Sequence, residues 1–122
     1  MTSTYLVIHM TDRTGTALDQ AEDRRMLDTW AEQGTNAGML ELGGPVAGPE
    51  RAKSVAVRDG EVLVTDGPFP EFKEWFAGYD LIEAESIEEA AAYMSGHPLA
   101  VAGRIYLLPV VALPWDGQQG VS

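Results

Sequence analysis

The sequence predicts an α+β domain: an antiparallel sheet carries both helices on one face, and a β-hairpin is inserted between its two halves. Three observations point to it. The apolar run Tyr5-Leu6-Val7-Ile8-His9-Met10 opens the chain as a buried strand. Polar and apolar residues alternate on both sides of Asp59-Gly60, a strong hairpin signal. A strand–helix–strand pattern stands before and after that hairpin, the split βαβ order of ferredoxin-like folds.

Each element follows from local chemistry. The first strand is apolar on both faces, with Tyr5, Val7 and His9 sharing one of them. Thr16 can cap a helix in which Leu18, Ala21, Leu27, Trp30 and Ala31 fall roughly on one side, and Gly34 marks its end. Met39 to Leu42 reads as a second strand stopped by Gly43-Gly44-Pro45, and Val46 to Arg51 as a surface loop. In the hairpin, Val57 faces Val62, Val55 faces Val64 and Lys53 faces Asp66, all on one side. Gly78 to Ala84 is the next strand. Ser86-Ile87-Glu88-Glu89 is a capping box that opens a helix with Ile87, Ala90, Ala91 and Met94 inward. Gly96 ends it and Pro98 blocks its continuation. Gly103 to Val111 is the last long strand. One domain over residues 1–112 and a flexible tail over 113–122 are expected.

At 122 residues, with 45% apolar and 22% charged residues, the chain suits one soluble domain with a modest core. A net charge of -11 argues against nucleic acid and anionic membrane surfaces, and favours a neutral or cationic small molecule or a protein partner. The absence of cysteine removes disulfides, thiolate nucleophiles and thiolate metal sites. The apolar run at Tyr5–Met10 is too short for a signal peptide or a membrane span, so a cytoplasmic protein is expected. No metal-ligand spacing, phosphate loop or serine-hydrolase elbow is present, so neither a metal nor a cofactor is expected.

One run stands apart: Thr65-Asp66-Gly67-Pro68-Phe69-Pro70-Glu71-Phe72-Lys73-Glu74, continued by Trp75-Phe76-Ala77-Gly78-Tyr79-Asp80-Leu81-Ile82-Glu83. With Asp59 to Val64 before it, and Ser86 to Ala90, His97-Pro98, Gly103 and Pro109-Val110 after it, it resembles the YCII-related, or DGPF-domain, family from about Tyr5 to Val111. The resemblance implies a ferredoxin-like domain forming a dimeric α+β barrel, a homodimer whose sheets meet around a shared cavity. It also implies a His–Asp pair in a cleft. The family's histidine position falls near Leu27 and its acidic position on His97. Some members of the family eliminate chloride or act on ring-hydroxylated aromatics.

The candidate proton carriers are His9, Asp66 and His97. Asp66 lies at a strand end beside apolar walls, where desolvation would favour a base; an Asx turn into Gly67-Pro68 explains it equally well. His97 follows a helix end, where the dipole favours an imidazolium. His9 is either a satisfied core group or a cavity group, according to register. Trp75, Phe76 and Tyr79, with Phe72, are candidates to line a pocket for a flat ligand, or to fill a core or dimer seam. Tyr5 is a further substrate-binding candidate. Arg104 is another, able to grip a carboxylate or to offset the acidic excess.

Two functions fit these residues. One is a cofactor-independent lyase or isomerase that moves a proton on a small aromatic or polyketide-like substrate in a dimer cavity. The other is a non-catalytic ligand- or partner-binding regulatory dimer. A titratable group within reach of a cavity separates them.

Overall fold

In a computed structural model of the protein, which describes residues 1–115, β1 (Ser3–Thr11) lies inside a four-stranded antiparallel sheet. Its neighbours are β5 (Phe76–Ala84) and β6 (Gly103–Pro109), and β2 (Leu40–Pro45) completes the far edge beyond β5. The order β2-β5-β1-β6, with helices between β1 and β2 and between β5 and β6, is the ferredoxin-like α+β arrangement expected. Most of the tail expected from Leu113 to Ser122 lies outside the described residues.

The helices are α1 (Gln20–Asn36), α2 (Ile87–Met94) and α3 (Pro98–Ala102). α1 begins later than Thr16 suggests, because the Asp19 carboxylate accepts the Glu22 amide at 2.8 Å. It also runs past Gly34. That glycine is buried beneath Tyr93, whose hydroxyl donates to the Trp30 carbonyl at 3.0 Å, and a Cβ there would collide with the Tyr93 hydroxyl. Gly34 is therefore a packing residue rather than a helix stop. The Ser86 hydroxyl oxygen caps α2 by accepting the Glu89 amide at 3.1 Å, while the Glu89 carboxylate accepts the Glu85 amide rather than that of Ser86. Ala90 and Met94 are buried as expected, but Ile87 is exposed. α3 was not legible in the chain. Pro98, read as a block to helix, occupies its first turn, where a missing N–H costs nothing.

β2 continues through Gly43-Gly44-Pro45 instead of stopping there. A proline is tolerated because β2 is an edge strand. The inward positions of the sheet and the helices form the core: Tyr5, Val7 and Ile82 pack with Trp30, Ala90 and Met94.

The hairpin of β3 (Lys53–Arg58) and β4 (Glu61–Asp66) has the expected register, with Val55 opposite Val64, Val57 opposite Val62 and Lys53 opposite Asp66. It forms its own two-stranded sheet. Its four valines are between 56% and 69% exposed in the single chain. On the main sheet, the face away from the helices is also apolar in part, with Tyr79, Tyr106 and Leu108 exposed.

Intrinsic propensity and packing make opposite predictions at Gly34. Propensity alone favours Gly34→Ala by about 1 kcal/mol, whereas overpacking against Tyr93 costs about 1–3 kcal/mol. We expect net destabilisation in urea denaturation; an equal or more stable variant would mean that Tyr93 moves aside freely.

Candidate functional site

β1 turns Tyr5, Val7 and His9 toward the helices. His9 lies opposite Gly78 on β5, and Val7 lies opposite Asp80. Asp80 is thus the diagonal neighbour of His9 on the same face, within reach of a side-chain pair. His9 Nε2 and Asp80 Oδ2 are 2.6 Å apart, and the two residues are only 5% and 4% exposed. A carboxylate can only accept, so the shared hydrogen belongs to His9 Nε2, leaving Nδ1 as the basic nitrogen.

Two glycines let the strands close around this pair. Gly43 lies opposite Asp80, and a Cβ there would collide with the Asp80 carboxylate and the Tyr79 carbonyl. A Cβ at Gly78 would come within 2.7 Å of the Gly44 carbonyl oxygen. Glycines read in the chain as punctuation thus allow backbone to pass beside a buried acid.

His97 completes the cluster. Its ring lies edge-to-face with that of His9, with centroids 4.3 Å apart, and nearly perpendicular to the Trp30 indole at 4.6 Å. Trp30 in turn stacks on Tyr93 at 5.0 Å. The helix-end argument expects a charged His97; the structure reverses it. Its Nδ1 accepts the Leu99 amide at 3.0 Å and caps α3, which requires an unprotonated nitrogen. Burial, and secondarily the nearby His9, push the His97 pKa down to about 3. His97 is therefore a neutral imidazole carrying its hydrogen on Nε2. The Tyr93 phenol is pushed upward, first by burial and then by the Asp80 charge.

The donor atoms of His9, Asp80 and His97 lie within 4.8 Å of one another, a grouping that no spacing in the chain announces. Two histidines and a carboxylate could in principle hold a metal. However, ligation through His97 Nε2 would drive its hydrogen onto Nδ1, against the Leu99 amide. The trio is bonded as a proton network rather than opened as a ligand set.

This network forms part of the wall of a cavity of about 720 Å³ between α1, β2 and the start of α3. Leu27, Trp30, Leu40, Leu42 and Leu99 supply apolar surface. The volume falls in the range of small-molecule sites. Leu27 and His97, the positions onto which the family's pair maps, both border it.

The other candidates go elsewhere. Tyr5 is buried in the core. Trp75 and Phe76 line a separate cavity of about 380 Å³ with Arg51. Tyr79 is on the opposite face of β5 from Asp80 and partly exposed. Arg104 donates from Nε to Asp12 Oδ2 at 2.6 Å, so it is already engaged by a carboxylate. Asp66 sits on the hairpin, exposed and paired with Lys53; among the described residues no backbone amide donates to it, so the expected Asx turn is not made. Asp80 and Trp30 are the site residues that sequence reasoning missed. The signal for Asp80 was present: it is the one acid in register with Gly78, Ile82 and Ala84 on the inward face of β5.

An α+β domain with a buried histidine–carboxylate pair opening onto a ligand-sized cavity is the class that fold and site define. The chain belongs to the YCII-related domain family, whose model matches residues 4–115. A comparison with curated proteins finds no significant match.

The neutral state of His97 has a pH signature. Between its folded pKa of about 3 and the ordinary value of 6.5, the unfolded chain binds a proton that the folded chain does not, so this residue makes stability fall as pH drops through that window. His97→Asn can keep the cap acceptor without titrating. The stability difference between wild type and variant should therefore move against the wild type on acidification. Parallel pH–stability curves in urea denaturation would contradict a neutral buried His97.

Proposed function

We propose that the cavity between α1, β2 and α3 hosts a cofactor-independent lyase or isomerase reaction on a small organic substrate, aromatic or polyketide-like. The observation that carries this reading is the buried His9–Asp80 hydrogen bond in the wall of a ligand-sized cavity. His9 Nδ1 takes a proton from an acidic C–H of the substrate. Asp80 holds the ring in the required tautomer and stabilises the imidazolium that forms. The proton then returns to a different atom in an isomerisation, or stays on His9 while a leaving group departs with the electron pair in an elimination. His97, neutral and bearing hydrogen on Nε2, is placed as a donor to the developing negative charge. Asp66 has no part in this scheme, since it lies on the exposed hairpin with Lys53.

The test is deuterium incorporation from heavy water into a panel of small carbon acids (lactones, enones and β-diketones), followed by NMR. Exchange by the wild type should fall at least about a hundredfold in His9→Gln, the usual worth of a positioned base, and comparably in Asp80→Asn, which miscasts the tautomer. Circular dichroism should be unchanged in both. Exchange that persists in His9→Gln would remove His9 as the base. Ligands that occupy the cavity without any exchange in the wild type would favour the non-catalytic binding reading.

The homodimer belongs to the same proposal. The exposed valines of the hairpin and the partly apolar open face of the main sheet are surfaces that a second copy would cover. Val57→Asp should shift the protein to monomer or aggregate in light scattering; a retained dimer would exclude the hairpin valines from the interface.

A further inference from the structure

The cavity around the His9–Asp80 pair has a one-sided charge pattern. Asp23 and Asp28 on α1 and Glu41 on β2 border it, all exposed, and neither lysine nor arginine is among its lining residues. Inside, Asp80 is paired with His9, and His97 is held neutral. Arg24 is the basic group nearest in sequence, and it spans 3.8 Å to Asp28 along the exposed surface of α1. Between this acidic mouth and the histidines, the wall is apolar: Leu27, Leu40, Leu42 and Leu99. Arg104, the chain's candidate for holding a carboxylate, borders a different cavity and is bonded to Asp12.

We infer that this cavity selects organic cations: an apolar body sits between the leucines, and a protonated amine lies at the mouth among Asp23, Asp28 and Glu41. Carboxylates and phosphates are rejected, because an anion entering here meets three negative groups and no positive one to replace its hydration. The inference builds on the proposed function by naming a substrate class for the same cavity, but it concerns binding alone.

The test uses the full chain, labelled with nitrogen-15, and three probes of similar shape: phenethylamine, phenethyl alcohol and phenylacetate. The amides from Leu40 to Gly44 and the Trp30 indole N–H report on the cavity. The amine should bind roughly three- to tenfold more tightly than the alcohol, the scale of a few partly screened ion contacts, and phenylacetate should bind weakest. The advantage of the amine should shrink in high salt and in the doubly substituted Asp23→Asn, Asp28→Asn chain, whose fold does not depend on these exposed groups. Phenylacetate binding as well as the alcohol would overturn the inference. So would an amine no tighter than the alcohol, shifts confined to other surfaces, or no shift at the cavity with any probe. His9→Gln should leave the charge order intact, so a lost proton exchange with a retained preference, or the reverse, tells which proposal has failed.

Discussion

The hydrogen bond between His9 and Asp80 is the constraint around which the rest of this molecule is arranged. An imidazole and a carboxylate under a helical layer lose most of their hydration, and a buried pair is worth keeping only if its geometry recovers that loss. Replacing both by apolar residues of similar size would often be neutral or stabilising. The neighbouring backbone is nevertheless shaped to admit them. β2 carries Gly43 where any Cβ would strike the Asp80 carboxylate, and Gly78 faces His9 where β2 passes close. A fold seeking stability alone has no need of this arrangement, and a base held in one tautomer does.

The pair also organises its surroundings through a run of rings. His9 meets His97, His97 meets Trp30, and Trp30 stacks on Tyr93, whose hydroxyl returns to the Trp30 carbonyl. This run ties β1 to α1, α2 and the start of α3, so the walls of the cavity and the elements of the core are the same side chains. Burial within it keeps His97 neutral, which spares the cluster a second positive charge next to His9. Cavity and core are coupled here, and a change to either reaches the other.

The fold was largely legible in the chain because its signals are local. Alternation about Asp59-Gly60 gave the hairpin register residue for residue, and the period of the apolar run gave the buried face of β1. What failed were the residues whose meaning depends on distant partners. Gly34, Gly43 and Pro98 read locally as stops, yet Gly34 makes room for Tyr93, Gly43 for Asp80, and Pro98 opens a helix. His97 was given the wrong charge because α3, which begins immediately after it, was not seen; a nitrogen that accepts an amide cannot also carry a proton. The aromatic run drew attention by its density. Trp75 and Phe76 pack near the start of β5 against Phe72, away from the histidines, while Asp80 further along the same strand holds the chemistry.

The YCII-related family membership gains meaning from where the altered positions fall. The resemblance maps a histidine onto Leu27 and an acid onto His97, which taken alone suggests that the pair has been dismantled. In space, both positions border the cavity that holds His9 and Asp80. A proton carrier and its carboxylate are therefore present in the same chamber but supplied by β1 and β5, the paired strands, instead of by helix and loop. Strands fix such a pair more tightly than loops, since hydrogen bonding and register set both backbones. Leucine at position 27 then adds apolar wall where a second titratable group would have stood. The consequence is a cavity in which one base is positioned, its neighbour is kept neutral, and the remaining surface discriminates by shape and charge.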